Sequence, residues 1–195
     1  MMHRVFSRIA IMATITALAV PIASAADRSA GTPSSIPARA VADLLHAVIM
    51  AHRNFYSIYI VSPLLQDGTV EVSEHWQAKK GLPLPVHLLQ GTSEMAELSG
   101  VDVHYHLISQ WPINKGNAPV TEFEQRGLEA VQANPTQPYS ATFKGTSGQR
   151  FGTVYADLAV TRMCIDCHNT HSNSPRSDFK VGDVMGGLVI SFPLP

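Results

Sequence analysis

Tyr139-Ser140-Ala141-Thr142-Phe143-Lys144-Gly145-Thr146-Ser147-Gly148-Gln149-Arg150-Phe151-Gly152-Thr153-Val154-Tyr155-Ala156 is the stretch on which the fold class turns. Two runs rich in aromatic and β-branched residues, 139–144 and 149–156, are joined through Gly145-Thr146-Ser147-Gly148. That pattern predicts a β-hairpin, and so an antiparallel sheet. Upstream, Val101, Val103, Tyr105 and Leu107 alternate with polar or histidine residues and predict a strand. Downstream, residues 182–193, with Val184, Leu188, Ile190 and Phe192, predict the last one.

The N-terminal half reads as helix. Pro37 suits a first helical turn, and neither Pro nor Gly interrupts the chain until Pro63. Val41, Leu45, Val48, His52, Phe55 and Tyr59 recur at steps of three and four, which predicts a long amphipathic helix with that stripe buried. A second helix is expected over 86–98, ending before Gly100. A third starts at Thr121, with Glu124 three residues on as its capping-box partner, and ends near Ala133. Residues 66–85 and 111–119 read as irregular segments. A long helix first and antiparallel strands later give an α+β fold, not an alternating α/β one.

The 195 residues suit one domain, and 45% hydrophobic against 15% charged residues is a globular composition. A net charge of −1, with no basic tract, points away from a nucleic-acid partner. The first residues have the form of a secretory signal: Arg4 and Arg8, an apolar run over 9–22, then Ala23-Ser24-Ala25 as a small-x-small cleavage site. Residues 1–25 are thus expected to be removed on export to the periplasm or the medium. The mature chain would be soluble, starting at Ala26 with a leader over 26–36 and a domain over 37–195. It would carry 12 basic against 15 acidic residues, a formal charge of −3.

The two cysteines lie four residues apart at most, so they close no long loop and are there for chemistry. Cys164-Ile165-Asp166-Cys167-His168 is C-x-x-C-H, the attachment motif of one covalent c-type haem. The two thiols would form thioethers with the porphyrin, and His168 would be the proximal iron ligand. A thioredoxin-type redox disulfide fits less well, because that motif belongs to a βαβ pattern. A zinc site from Cys164, Cys167, His168 and His171 lacks a second ligand pair elsewhere in the chain.

The sixth iron ligand must approach from the face opposite His168, which disfavours His171 and Met163. The first helix is the expected source. His52 lies in the predicted apolar stripe, while Met50 and His46 fall on the other side of the helix. His52 and Met50 are therefore alternative candidates, with Met185 behind them, and an open sixth position would admit a gas. His75, His87, His104 and His106 read as surface or strand-face residues. Arg53, beside His52, is the candidate contact for a haem propionate; Arg176 and Lys180 read as solvated charge. Trp111, Tyr139 and Tyr155 are candidates for the pocket walls or the core.

The segment from Cys164 to Ile190 resembles the Tll0287-like family of c-type haem domains. The resemblance extends to Trp111-Pro112-Ile113-Asn114, to Asn117-Ala118-Pro119 with Glu124 after it, and more loosely to Arg53-Asn54-Phe55-Tyr56-Ser57. It covers most of residues 38–195. It implies a PAS-like sensor fold, an antiparallel sheet with a long N-terminal helix, holding one haem. In the family the axial pair can be the histidine plus a cysteine from the N-terminal part. This sequence has no such cysteine, which brings His52 or Met50 forward in its place.

Two function classes follow. One is a redox or gas sensor or binding module, not an enzyme, whose partner is a small gas ligand or a redox protein. The other is a small electron-transfer cytochrome, favoured by a chain that stops straight after its last strand with no output domain.

Overall fold

The computed structural model describes residues 35–146 and 148–195. The expected signal segment, its cleavage site after Ala25 and residues 26–34 of the leader lie outside the described residues. Helix α1 (Ala38–Phe55) follows directly on Pro37. Its buried positions are Ala42, Ile49 and Arg53, continued by Ser57 and Val61. Much of the stripe expected from periodicity is turned outward instead: Val48, Phe55 and Tyr59 are 56%, 58% and 68% exposed, while Leu45 packs against the core. The reason lies in what the helix packs against. Small Ala42 lets it sit close to the sheet, His46 stacks on Tyr155 at 3.9 Å, and Arg53 pairs with Asp157.

Pro63 does not end the helix, as expected, but is absorbed by it. The chain widens into a π-helical stretch at Tyr56–Val61 and resumes as α2 (Ser62–Gln66), with the proline in its first turn. A proline ring clashes with the carbonyl four residues back and offers no N–H. The wider turn just before it relieves that conflict. Within the segment predicted as irregular, one short helix, α3 (Trp76–Lys79), forms, and Val72 bridges to Leu82. Helix α4 (Pro85–Leu98) then starts on Pro85, where the missing N–H costs nothing.

Four strands form one antiparallel sheet in the order β1-β4-β3-β2: β1 (His104–Ile108), β2 (Tyr139–Gly145), β3 (Gly148–Leu158) and β4 (Val184–Pro193). The hairpin and both other strands fall where their alternation put them. Registers such as Phe143↔Arg150, Val154↔Val189 and Tyr105↔Ile190 divide the side chains between two faces. On one face Tyr105, Tyr155, Leu188 and Ile190 pack with Ala42 and Ile49 of α1 and Leu89 of α4. On the other, Ile108, Val154 and Val189 pack with Phe123, Leu128 and Val131 of α5 (Glu122–Ala133). The α+β reading holds, as helices on both faces of a four-stranded sheet.

Helix α5 has the predicted capping box. Thr121 Oγ1 accepts from the Glu124 N–H at 3.2 Å, and Glu124 Oε2 accepts from the N–H groups of Thr121 and Val120 at 3.0 and 2.8 Å. Gly127 lets this helix touch β3; a Cβ there would lie 2.4 Å from Val154 Cγ2. Residues Ile36–Pro195 form one compact unit. Among the described residues no helix is long and apolar enough to cross a membrane.

Candidate functional site

β3 ends in an irregularity at Asp157/Leu158, and the chain enters helix α6 (Arg162–Thr170) four residues later. The C-x-x-C-H motif lies on this helix. Cys164 and Cys167, one turn apart, therefore share a helix face, and His168 follows on the same turn. Both thiols are free. Thr161 Oγ1 lies 3.4 Å from Cys164 Sγ at the helix start.

The helix is fixed by the segment after it. Asn169 clasps Phe179 through two hydrogen bonds: its Nδ2 donates to the Phe179 carbonyl and its Oδ1 accepts the Phe179 N–H, both at 2.9 Å. Phe179 meets the His168 ring edge-on, with centroids 6.0 Å apart. Cys164 and Ile165 pack with Trp111 on the small apolar cluster of Ala159, Phe179 and Met185. The Arg176 guanidinium lies over the rings of Trp111 and Phe179, at 4.7 and 4.3 Å, and is ion-paired to Asp178 and Asp183. Sequence reasoning missed Asn169, which carries no catalytic signature and acts only through the backbone it holds.

Cys164, Cys167 and His168 all line one cavity of about 480 Å³, within the ~300–1,000 Å³ typical of cofactor sites. Its lining is mostly apolar. The lining also includes the start of α4, the segment around Val72–His75 and the end of β1. Burial, then His171 and Arg53, lowers the affinity of His168 for a proton below the ordinary imidazole value. Burial, then Cys164 and Glu74, pushes the Cys167 thiol up. A raised thiol is the opposite of what a reactive disulfide-exchange thiolate requires. Among the described residues no three His, Cys, Asp or Glu side chains gather in a metal-holding cluster.

Arg53 and Asp157 also line the cavity. Their side chains are each 9% exposed, with Nη1–Oδ1 at 2.8 Å and Nη2 donating to Oδ2 at 3.2 Å. Burial pushes the Asp157 carboxyl up and the guanidinium pulls it back. As a propionate contact, Arg53 is thus already matched by a buried carboxylate.

Two ligand candidates are corrected. His52 is exposed and lies in a separate depression with Ile49, Phe55 and Leu88; it does not line the His168 cavity. Met50 packs against the core cluster of α1 and the sheet and does not line it either. Both fail for the reason that displaced the stripe: the side of α1 that meets the cavity carries Arg53. His46, placed on the outer side, is instead stacked on Tyr155, whose hydroxyl donates to Asp43 at 2.7 Å. Tyr139 packs with Phe123 across the sheet, so of the three proposed wall aromatics only Trp111 stands next to the motif.

His104 and His106 are strand-face residues as expected, paired with Asp102 and Glu124. His75 and His87 are not merely surface groups: both line the cavity. His87 is half-buried, and its Nδ1 is shut off from solvent without a hydrogen-bond partner. The one sequence signal for it was its place in the first turn of a helix starting at Pro85.

A model of the Tll0287-like family matches residues 34–193. Among solved structures, the chain is similar to the cyanobacterial heme-protein Tll0287, with a TM-score of 0.50 and 19% identity over 81% of this chain and 97% of that one. At that identity the likeness speaks for the fold alone. No curated protein matches the sequence.

Proposed function

The chain belongs to the Tll0287-like family, and from that premise we propose that it is an exported haem protein with one covalent c-type haem, working as a redox or gas sensor or binding module and not as an enzyme. The observation that carries the reading is the convergence of Cys164, Cys167 and His168 on one mostly apolar cavity of cofactor size. The residues fit the group. Two thiols on one helix face are presented together, an uncharged imidazole follows them, and apolar walls suit a porphyrin.

In this reading each thiol adds across a vinyl C=C: sulfur bonds one carbon, the thiol hydrogen goes to the other, and no electrons are exchanged. His168 would hold the iron through an imidazole nitrogen. Bound haem would supply redox-active and ligand-binding iron chemistry. Asn169, Phe179 and Trp111 fix the helix that carries the attachment points. The long helix on an antiparallel sheet supports a PAS-like sensor reading, and Arg53 ties that helix to the cavity through Asp157.

Cys167, more open to solvent than Cys164, favours a second reading, an electron-transfer cytochrome, because it would leave one haem edge near solvent. Spectra with CO or NO separate the two: rapid gas binding supports sensing, and an inert low-spin spectrum supports electron transfer. For attachment and export, the full chain is expressed in a host that matures c-type haem. The exported material should stain for haem on a denaturing gel and have the mass of residues 26–195 plus one haem. Cys164→Ala with Cys167→Ala should abolish the stain. A double variant that still stains would overturn the attachment, and a mass retaining residues 1–25 would overturn the cleavage.

A further inference from the structure

We infer that His87 is the second axial ligand of the iron, so that the site is a bis-histidine one spanning α4 and α6. This rests on the proposed haem in the cavity of Cys164, Cys167 and His168.

The argument is one of elimination among the side chains that line that cavity. Iron accepts imidazole nitrogen or thioether sulfur, and the lining offers four further donors besides His87: His75, His171, Met163 and Met185. Met163 lies on α6 beside the motif and His171 caps the end of that helix, so both belong with the element that carries His168. His171 Nδ1 is also engaged, accepting the Asn173 N–H at 3.1 Å. Met185 is packed with Phe179 and Ala159 in the cluster that supports Cys164 and Ile165, again on the α6 side. His75 is exposed and sits just before the short helix α3.

His87 differs on each count. It comes from α4, an element with no substantial packing on α6, so that the cavity lies between the two helices. It is half-buried, and its Nδ1 is sealed from solvent with no hydrogen-bond partner. His168 Nδ1 is shut off in the same way. With Nδ1 closed off, Nε2 is the nitrogen left for a group in the cavity. The ring is also held at a fixed place. It lies in the first turn of α4, behind Pro85, and Tyr56 Oη donates to the Pro83 carbonyl at 2.6 Å, anchoring the entry to α4 against the π-helical segment. A ligand on α4 would couple the state of the iron to this contact with the long helix.

The test uses full-length holoprotein and its variants His87→Ala, His87→Met, His75→Ala and His52→Ala. A pyridine haemochrome assay on denatured protein first reports covalent haem independently of the sixth ligand; its absence in the wild type would sink the haem reading, not this assignment. Ferric spectra and electron paramagnetic resonance then report ligation. The wild type should be low-spin. His87→Ala should become high-spin, bind CO rapidly and return to a low-spin spectrum on adding imidazole. His87→Met should stay six-coordinate with a raised potential, since thioether ligation favours ferrous iron. His75→Ala and His52→Ala should match the wild type. A high-spin wild type, an unchanged spectrum in both His87 variants, or a change confined to His75→Ala would overturn the assignment.

Discussion

Replacing Asp157 by Asn leaves the Arg53 guanidinium buried without its counter-ion. The two groups are 2.8 Å apart and each is 9% exposed. At an effective dielectric of ~20, opposite unit charges at that distance attract by about 6 kcal/mol, most of which offsets the desolvation of two ions. Removing one partner of a buried pair therefore costs about 3–5 kcal/mol. For a domain of this size that is roughly 6–20 °C in Tm. Arg53→Met acts differently, because a carboxyl can take up a proton. Burial pushes the Asp157 carboxyl above the ordinary 3.8, and Arg53 is what opposes that push. Without Arg53 the folded form holds the proton more tightly than the unfolded one. The variant is then closest to wild type below the unfolded value and loses stability as pH rises through the folded one. Urea unfolding of the holoprotein, followed by far-ultraviolet circular dichroism at pH 5 and pH 8, measures both effects. Asp157→Asn should lose the full amount at both pH values, and Arg53→Met should lose more at pH 8. Arg53→Met with Asp157→Leu should lose much less than the two single losses added. Single losses below about 1 kcal/mol, or strict additivity, would refute the buried-pair reasoning.

Glu124 sets the acid side of the stability profile. Burial alone would raise its carboxyl, but the His106 hydrogen bond and the N–H groups of Thr121 and Val120 hold it down at about 2, from an ordinary 4.5. That stability is present above the unfolded value and lost as pH falls through the folded one, about 3 kcal/mol in all. Denaturant midpoints between pH 6 and pH 2 should fall less steeply in Glu124→Gln than in the wild type; parallel profiles would count against it. Gly127→Ala should destabilise by about 1–3 kcal/mol, although alanine favours helix, because its Cβ meets Val154 Cγ2 at 2.4 Å. A thermal melt at or above the wild-type Tm would contradict that close approach.

What could be read locally from the sequence was read well. The hairpin at 139–156, the Thr121/Glu124 cap and the strands around Tyr105 and Leu188 all depend on residues near one another in the chain. The C-x-x-C-H pattern at Cys164–His168 is likewise local, five consecutive residues that the structure brings to one cavity. That the motif sits on a helix was not legible, since α6 is only nine residues long. Asn169 and His87 escaped because their roles depend on partners that only the fold brings near.

The orientation of α1 is the case in which hydrophobic periodicity gave the wrong side. One side of the helix offers Val48, Phe55 and Tyr59, and the other Ala42, His46, Arg53 and Ser57. A pattern count prefers the first, yet the second is buried. Periodicity weighs each side chain by its own character. Burial follows from what the helix is packed against, and here that is a ring and a carboxylate more than a hundred residues away. The Arg53–Asp157 contact spans 104 residues and the Tyr155–Asp43 bond 112. Those two anchors fix the rotation of the helix. One residue along a helix is a turn of about 100°, so the step from His52 to Arg53 is the difference between facing solvent and lining the cavity. Once Arg53 is held there by Asp157, α1 presents no imidazole or thioether to the cavity, and the imidazoles that line it beside His168 come from other elements, His87 of α4 among them.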